Sequence, residues 1–537
     1  MPAIHIDKHR QIAPVDPRIY SGFTEHMGRC IYGGIYEPDN QHGLADPKTG
    51  LRKDVLEALK SLNVPIFRYP GGNFVSSYRW QDGIGPKDKR PRRPELAWLT
   101  EESNQFGTDE FMVFCREMNA EPYICLNMGT GTLEDALAWL EYCNSSANTH
   151  FANLRRANGH EEPYNVKYWS LGNEVWGPWQ VGQMTAEDYA KKAYQWAKAL
   201  KLLDPSIKLI SCGETGHADW DRVALKALAP VVDFHSIHIY TVSQGEHSVN
   251  VMGRTCSFSD VQLLLVLTAT SSPAAAAEKA LDITKSLTDL ALIEAGLEKE
   301  IPVCFDEWNV WDPVRAPGEK GAEEHYDLSD ALGNPAVPMP PPVASWLNVF
   351  VRKADIVKIA CIAQSVNVIS PIITSPTGLY KQTTFYPLHL FATLMHGTSL
   401  SVYVDSPIYE GKTVPSFVKD LSGKGGSAGW GELRKWVDVS AVLSGSGDGQ
   451  EIRVAIVNRH PEESFQVPIL FGPETEVAKD GKKVKVYEVY SDELGDQNGF
   501  EGEKVKTVER EMEVPEGRFQ FEVKKHAFYV LVFPVKA

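Results

Sequence analysis

The sequence predicts an α/β protein: a (β/α)8 TIM barrel over residues 19–385, followed by an all-β sandwich over residues 386–537. Residues 1–18 are expected to supply a strand to that sandwich. Three observations carry the prediction. Eight short apolar runs alternate with stretches of helical period, as in strands each followed by a helix. Eight is the number of parallel strands that closes a barrel. Beyond about Tyr386 the helical period gives way to period-two alternation between glycine-rich turns, which points to a sandwich. The alternative is an open doubly wound sheet, but no GxGxxG or GxxxxGKS/T loop follows any of the runs.

In chain order, Ile4-His5-Ile6 reads as a first strand, with Pro14 and Pro17 breaking the chain after it. The eight barrel runs are Ser21–Met27, Pro65–Tyr69, Pro122–Met128, Lys167–Glu174, Lys208–Glu214, Val232–Tyr240, Pro302–Asn309 and Val357–Gln364. Between them Lys53–Leu62, Thr108–Met118, Leu133–Tyr142 and Ala186–Leu203 carry the helical period. Two segments, Arg254–Pro273 and Gly333–Pro342, fit the alternation poorly. They read either as loops over the barrel mouth or flank, or as additions without a function of their own. In the sandwich the strand-like runs are Val402–Val404, Arg434–Val442, Ile452–Val457, Val484–Tyr490 and Ala527–Phe533.

Composition narrows the partners. The formal charge of −16, from 54 Lys and Arg against 70 Asp and Glu, argues against nucleic acid and anionic membranes. No uncharged apolar run is long enough to span a bilayer. Residues Met1–Lys8 hold no signal-peptide core, and the eight cysteines form no CxxC pair, so a cytoplasmic protein with free thiols is expected.

The chemistry is expected where strands end. Tyr168-Trp169-Ser170-Leu171-Gly172-Asn173-Glu174 is an apolar run that stops on an amide and a carboxylate, with two indoles just after it. Burial there raises a carboxyl pKa, which suits a general acid at neutral pH. Val303-Cys304-Phe305-Asp306-Glu307-Trp308-Asn309 repeats the design. In a barrel, Glu174 then closes the fourth strand and Glu307 lies near the end of the seventh, facing each other across the mouth. Two carboxylates roughly 5 Å apart cleave a glycosidic bond with retention, the one of higher pKa protonating the leaving oxygen. For a single strand-end glutamate, a helix cap or a rim ion pair explains it about as well; two in matching contexts favour the pair.

Further polar residues recur at strand ends: Glu25 and His26, Arg68 and Asn73, Asn173, His238 and Tyr240, Gln364 and Asn367. In-plane donors and acceptors beside aromatic faces suit a sugar. Singly, each has a structural alternative, such as Tyr240 filling the core or Arg68 making a rim ion pair. No metal or other cofactor is expected, because the chain lacks HExxH, CxxC and an EF-hand loop. His235 and His238 would point to opposite faces of their strand. A serine triad is not expected, because no GxSxG turn appears.

Gly22-Phe23-Thr24-Glu25-His26, Phe67–Phe74, Asn104–Gly107, Leu171–Glu174, Phe305–Trp308 and Ala363–Asn367 together resemble the α-L-arabinofuranosidases of glycoside hydrolase family 51, over essentially the whole chain. The resemblance implies a retaining, exo-acting enzyme on arabinose-containing oligo- and polysaccharides, in a homo-oligomer of up to six subunits. It makes Glu174 the acid/base and Glu307 the nucleophile, with Glu25, Arg68, Asn73, Asn173, Tyr240 and Gln364 around the furanose. Asn173 would bond the 2-hydroxyl, and Trp179 matches an aromatic on the aglycone side. Competing readings are a retaining xylosidase or β-glucanase of the same architecture, and an inactive carbohydrate-binding relative.

Overall fold

The computed structural model describes residues 2–242, 273–311, 343–410, 433–460, 462–477, 483–493, 495–514 and 518–536. Gly333–Pro342 and all of Arg254–Pro273 except Pro273 lie outside the described residues.

Eight parallel strands close into a barrel in chain order: Ser21–Phe23, Ile66–Tyr69, Glu121–Cys125, Tyr168–Leu171, Lys208–Ser211, Phe234–Val242, Val303–Trp311 and Val357–Ile362. Each falls within or overlaps one of the eight expected runs, but several leave the ladder early. Strand one ends at Phe23 rather than Met27, and strand four at Leu171 rather than Glu174. The residues past those ends turn inward over the mouth. Below them every strand contributes to one buried cluster: Phe23, Ile66, Tyr123, Tyr168, Ile210, Phe234, Cys304, and Ile359 with Cys361. With the lower barrel filled, only the C-terminal end is left for a site.

Helices Thr108–Met118 and Ala186–Leu203 occupy the expected spans. Among the described residues, five further helices that the periodicity did not single out are His150–Ala157, Asp219–Leu228, Pro273–Ala295, Val343–Arg352 and Phe385–Leu394. The last carries helical order across the expected boundary at 385/386. Phe385-Tyr386-Pro387-Leu388-His389-Leu390-Phe391 is apolar nearly all round because it is buried between barrel and sandwich, so no polar face marks its period.

Among the described residues, the sandwich has a four-stranded and a seven-stranded sheet. Ala3–Ile6 sits in the smaller, between Tyr403–Asp405 and Phe465–Phe471, while Gln11–Pro14 forms the edge of the larger beside Thr398–Leu400. A proline is tolerated on such an edge. The run expected at Arg434–Val442 divides at Trp436 into two strands. Barrel and sandwich are tied by Arg352, whose Nη1 donates to Asp438 Oδ1 at 3.0 Å, and by Asn348, whose Nδ2 donates to Asp438 Oδ2 at 2.9 Å.

Candidate active site

The site begins with an irregularity in strand seven. Ser236 on strand six faces Cys304, but His238, two residues on, faces Glu307, three residues on. The extra residue is a β-bulge, and it lets adjacent residues face the same side. Asp306 and Glu307 therefore both project into the mouth. Asp306 accepts from Tyr123 OH at 2.7 Å and the Ser236 hydroxyl, and lies 3.0 Å from His238 Nε2 and 3.1 Å from Arg68 Nε. Glu307 Oε1 accepts from Arg68 Nη1 at 2.7 Å, and its Oε2 from Tyr240 OH at 2.8 Å.

Across the mouth, Glu174 has a left-handed backbone, φ +41°. Such a conformation costs a glutamate ~1–3 kcal/mol and gathers at functional positions. Its Oε1 lies 3.0 Å from His238 Nδ1, and its Oε2 accepts from Trp179 Nε1 at 3.0 Å. Carboxylate oxygens of Glu174 and Glu307 and a ring nitrogen of His238 lie within 4.8 Å of one another. Both carboxylates are largely buried, the side chains of Glu174 and Glu307 being 12% and 8% exposed.

Arg68 joins the two strand ends, because its Nη2 also donates to Asn173 Oδ1 at 2.8 Å. Asn173 Nδ2 reaches Asn73 Oδ1 at 3.4 Å. Glu25 accepts from Phe74 N–H at 3.0 Å, Trp98 Nε1 at 3.2 Å and Gln364 Nε2 at 3.2 Å, while Gln364 Oε1 is buried without a partner.

The charges follow from this wiring. Burial works against a charge on His238, yet Glu307, Asp306 and Glu174 push its pKa up to about 10. Burial also opposes the charge on Asp306, but Arg68 and His238 hold that carboxyl well below the usual range. Burial pushes the Glu307 carboxyl upward, His238 and Arg68 pull it down, and Glu174 adds to the rise. Burial and the charge of Glu307 push Glu25 up to about 8. With an N–H turned to a carboxylate on each side, the His238 imidazolium keeps no lone pair for a metal. His235 faces the other way, bonding Ser211 and Asp221 behind the strand.

Residues 58–254 match the α-L-arabinofuranosidase 1 domain, and residues 306–527 match the α-L-arabinofuranosidase C-terminal domain. An α-L-arabinofuranosidase C of Emericella nidulans is 52% identical over 491 residues, covering 89% of this chain and 88% of its own. The thermostable GH51 α-L-arabinofuranosidase of Thermotoga petrophila, whose structure is solved, is 37% identical, with a TM-score of 0.80 over 99% of this chain and all of its own. The chain belongs to glycoside hydrolase family 51, the α-L-arabinofuranosidases. An intracellular exo-α-(1→5)-L-arabinofuranosidase of Halalkalibacterium halodurans is a more distant relative, 35% identical over 86% of this chain and 85% of its own.

This family 51 chain is thus a glycoside hydrolase that acts on arabinose-containing glycans. Seven of the nine residues assigned from the family resemblance, Arg68, Asn73, Asn173, Glu174, Trp179, Tyr240 and Glu307, are linked at the barrel mouth by polar contacts that run through Asp306 and His238, and Glu25 and Gln364 bond each other next to them. Of the other strand-end residues, His26 turns to Tyr69 and Glu102, and Asn367 to Arg29 O and Thr374. Sequence reasoning counted His238 among the strand-end polar residues but gave it no role of its own, and gave none to Asp306 or Trp98. The first two sit beside named residues on their strands. Trp98 comes from a hairpin between Arg93–Pro94 and Glu101–Glu102 that folds back to Glu25.

Proposed function

We propose that the enzyme removes terminal non-reducing α-L-arabinofuranosyl residues from arabinoxylan, arabinan and arabino-oligosaccharides, with retention by double displacement. The observation that carries retention is the approach of the Glu174 and Glu307 carboxylates to within 4.8 Å. Retaining pairs stand ~5–5.5 Å apart, whereas inverting pairs need ~6.5–9.5 Å to admit a water.

In the first step a Glu307 oxygen bonds the anomeric carbon as the glycosidic bond breaks, and Glu174 gives its proton to the leaving oxygen. In the second, Glu174 takes a proton from water, whose oxygen displaces Glu307 from the same carbon. Arg68 and Tyr240 beside Glu307 support it as the attacking anion. The greater exposure of Glu174 and its bond to Trp179 support it as the group that meets leaving group and water. Asn173, whose carbonyl is held by Arg68, presents its amide to the 2-hydroxyl. Glu25, Asn73 and Gln364 take the remaining hydroxyls. Action in the cytoplasm belongs to the same reading, supported by the seven cysteines among the described residues, all buried and free.

The test uses azide and an activated aryl α-L-arabinofuranoside. In Glu307→Ala, azide should restore cleavage and give the β-azide; in Glu174→Ala it should give the α-azide. The opposite pairing would reverse the two roles. A panel of aryl xylosides and glucosides hydrolysed faster than the arabinofuranoside would favour the xylosidase or glucanase reading.

A further inference from the structure

We propose that Glu214 selects the leaving group: its carboxyl hydrogen-bonds a hydroxyl of the sugar beyond the scissile bond, beside Trp176 and Trp179. The inference rests on the glycosidase reading above and assigns a residue to the leaving-group side of that site.

Glu214 lies three residues past strand five, Lys208–Ser211, between the strands that carry Glu174 and His238. Its main chain is clamped at both ends. Its N–H donates to Asp221 Oδ1 at 2.8 Å, and its carbonyl accepts from His238 N–H at 2.8 Å. Asp221 Oδ2 also accepts from Gly216 N–H at 2.8 Å and Ala218 N–H at 3.1 Å, and its Oδ1 bonds His235 Nε2 at 2.9 Å. The turn is packed tightly: a Cβ at Gly213 would lie 1.9 Å from Ser236 O, and one at Gly216, φ +84°, 2.2 Å from Thr284 Oγ1. A segment fixed in this way presents its side chain with little freedom left to lose on binding.

The side chain itself is unspent. Glu25, Glu174, Glu307, Asp221 and Asp306 each have hydrogen-bond partners, but the half-buried carboxyl of Glu214 has none among the described residues. A carboxyl withdrawn this far from water is costly to leave unpaired. Burial, with Asp221 and Glu174 adding to it, pushes its pKa up to about 8. At neutral pH it therefore offers both an O–H donor and an acceptor, the combination a sugar hydroxyl takes.

Its position decides which sugar. Glu25, Arg68, Asn73 and Gln364 come from strands one, two and eight, whereas strand five is diametrically across the barrel from strand one. Gly213 O accepts from Trp176 Nε1 at 3.0 Å, and Trp176 meets Trp179 edge to face at 5.1 Å. Trp179 in turn bonds Glu174 Oε2. Two half-buried indoles thus flank the acid/base on the strand-five side, next to the turn that carries Glu214, whose carboxyl is close enough to Glu174 to feel its charge.

The test is a selectivity ratio. kcat/KM is measured for α-1,5-linked arabinobiose and for 4-nitrophenyl α-L-arabinofuranoside, whose leaving group has no sugar hydroxyl, in the native enzyme and in Glu214→Ala and Glu214→Gln. The disaccharide-to-aryl ratio should fall about tenfold in Glu214→Ala, and Glu214→Gln should recover most of it. An unchanged ratio in Glu214→Ala overturns the proposal, and so does a Gln variant no better than Ala. Turnover of the aryl substrate by each variant reports its folding. Absence of aryl turnover in the native enzyme would instead overturn the glycosidase reading, so the two failures are distinct.

Discussion

Gly72 offers the sharpest test of the site geometry. It follows strand two in the turn Tyr69-Pro70-Gly71-Gly72, and a Cβ there would lie 2.8 Å from Glu307 Oε1, 3.3 Å from Glu25 Oε2 and 3.6 Å from Asn173 Nδ2. Alanine thus pushes one methyl against the proposed nucleophile and toward two substrate-binding groups. An ordinary contact needs about 3.4 Å, so Glu307 Oε1 must retreat by roughly 0.6 Å. That oxygen is the one held at 2.7 Å by Arg68, which cannot follow without loosening its bonds to Asp306 and Asn173. Inserting a methylene into a filled space costs ~1–3 kcal/mol. Felt at the transition state, this lowers kcat/KM by about 5- to 150-fold. The assay is kcat/KM on an aryl α-L-arabinofuranoside for Gly72→Ala, with the thermal midpoint as a control for folding. Gly71 would be a poor choice, because a Cβ there meets Glu25 Cγ at 2.2 Å and its φ is +139°, so damage to the fold would confuse the result. A Gly72→Ala enzyme within twofold of native would refute the placement of Glu307.

Other expectations follow from the charges. Glu25, raised to about 8 by burial first and Glu307 second, keeps a proton in the folded state that the unfolded chain loses near 4.5. Its contribution is full below the unfolded pKa and is lost as pH climbs to about 8, on the order of 3–5 kcal/mol in all. Thermal midpoints of native enzyme and Glu25→Gln, followed from about pH 5 to about 9, should therefore diverge in favour of the variant; parallel curves would count against a neutral Glu25. Asp306→Asn strips Arg68 and His238 of their shared carboxylate, and removing one partner of a buried pair costs ~3–5 kcal/mol. Its thermal midpoint should fall, and a native midpoint would contradict the network. Because His238 turns both nitrogens to carboxylates, dialysis against EDTA should leave kcat/KM unchanged, and activity restored only by a divalent ion would show otherwise.

What could be read from the chain, and what could not, divides along a physical line. The eight barrel strands were legible because a strand covered on both faces is mostly apolar, as at Ile66–Tyr69, where only Arg68 is charged, and Tyr168–Leu171, where Ser170 breaks the run. The helix Phe385–Leu394 was hidden for the related reason that a helix covered on all sides loses its period. Among site residues, those at strand ends stood out as polar groups closing apolar runs. The pairing of Glu174 with Glu307 is different in kind. Strict alternation sends Asp306 and Glu307 to opposite faces, so one of them should have left the barrel. Only the extra residue opposite Ser236–His238 brings both inside, and register is a property of two strands together that neither strand's residues declare. The consequence reaches the chemistry. Asp306 anchors Arg68 and His238 from below, and these hold Glu307 and Glu174 from the side, so one inserted residue supplies the support for both carboxylates. Deleting Phe305 would remove that insertion. It should send Glu307 or Asp306 outward and abolish turnover, even where a shortened strand still completes the barrel.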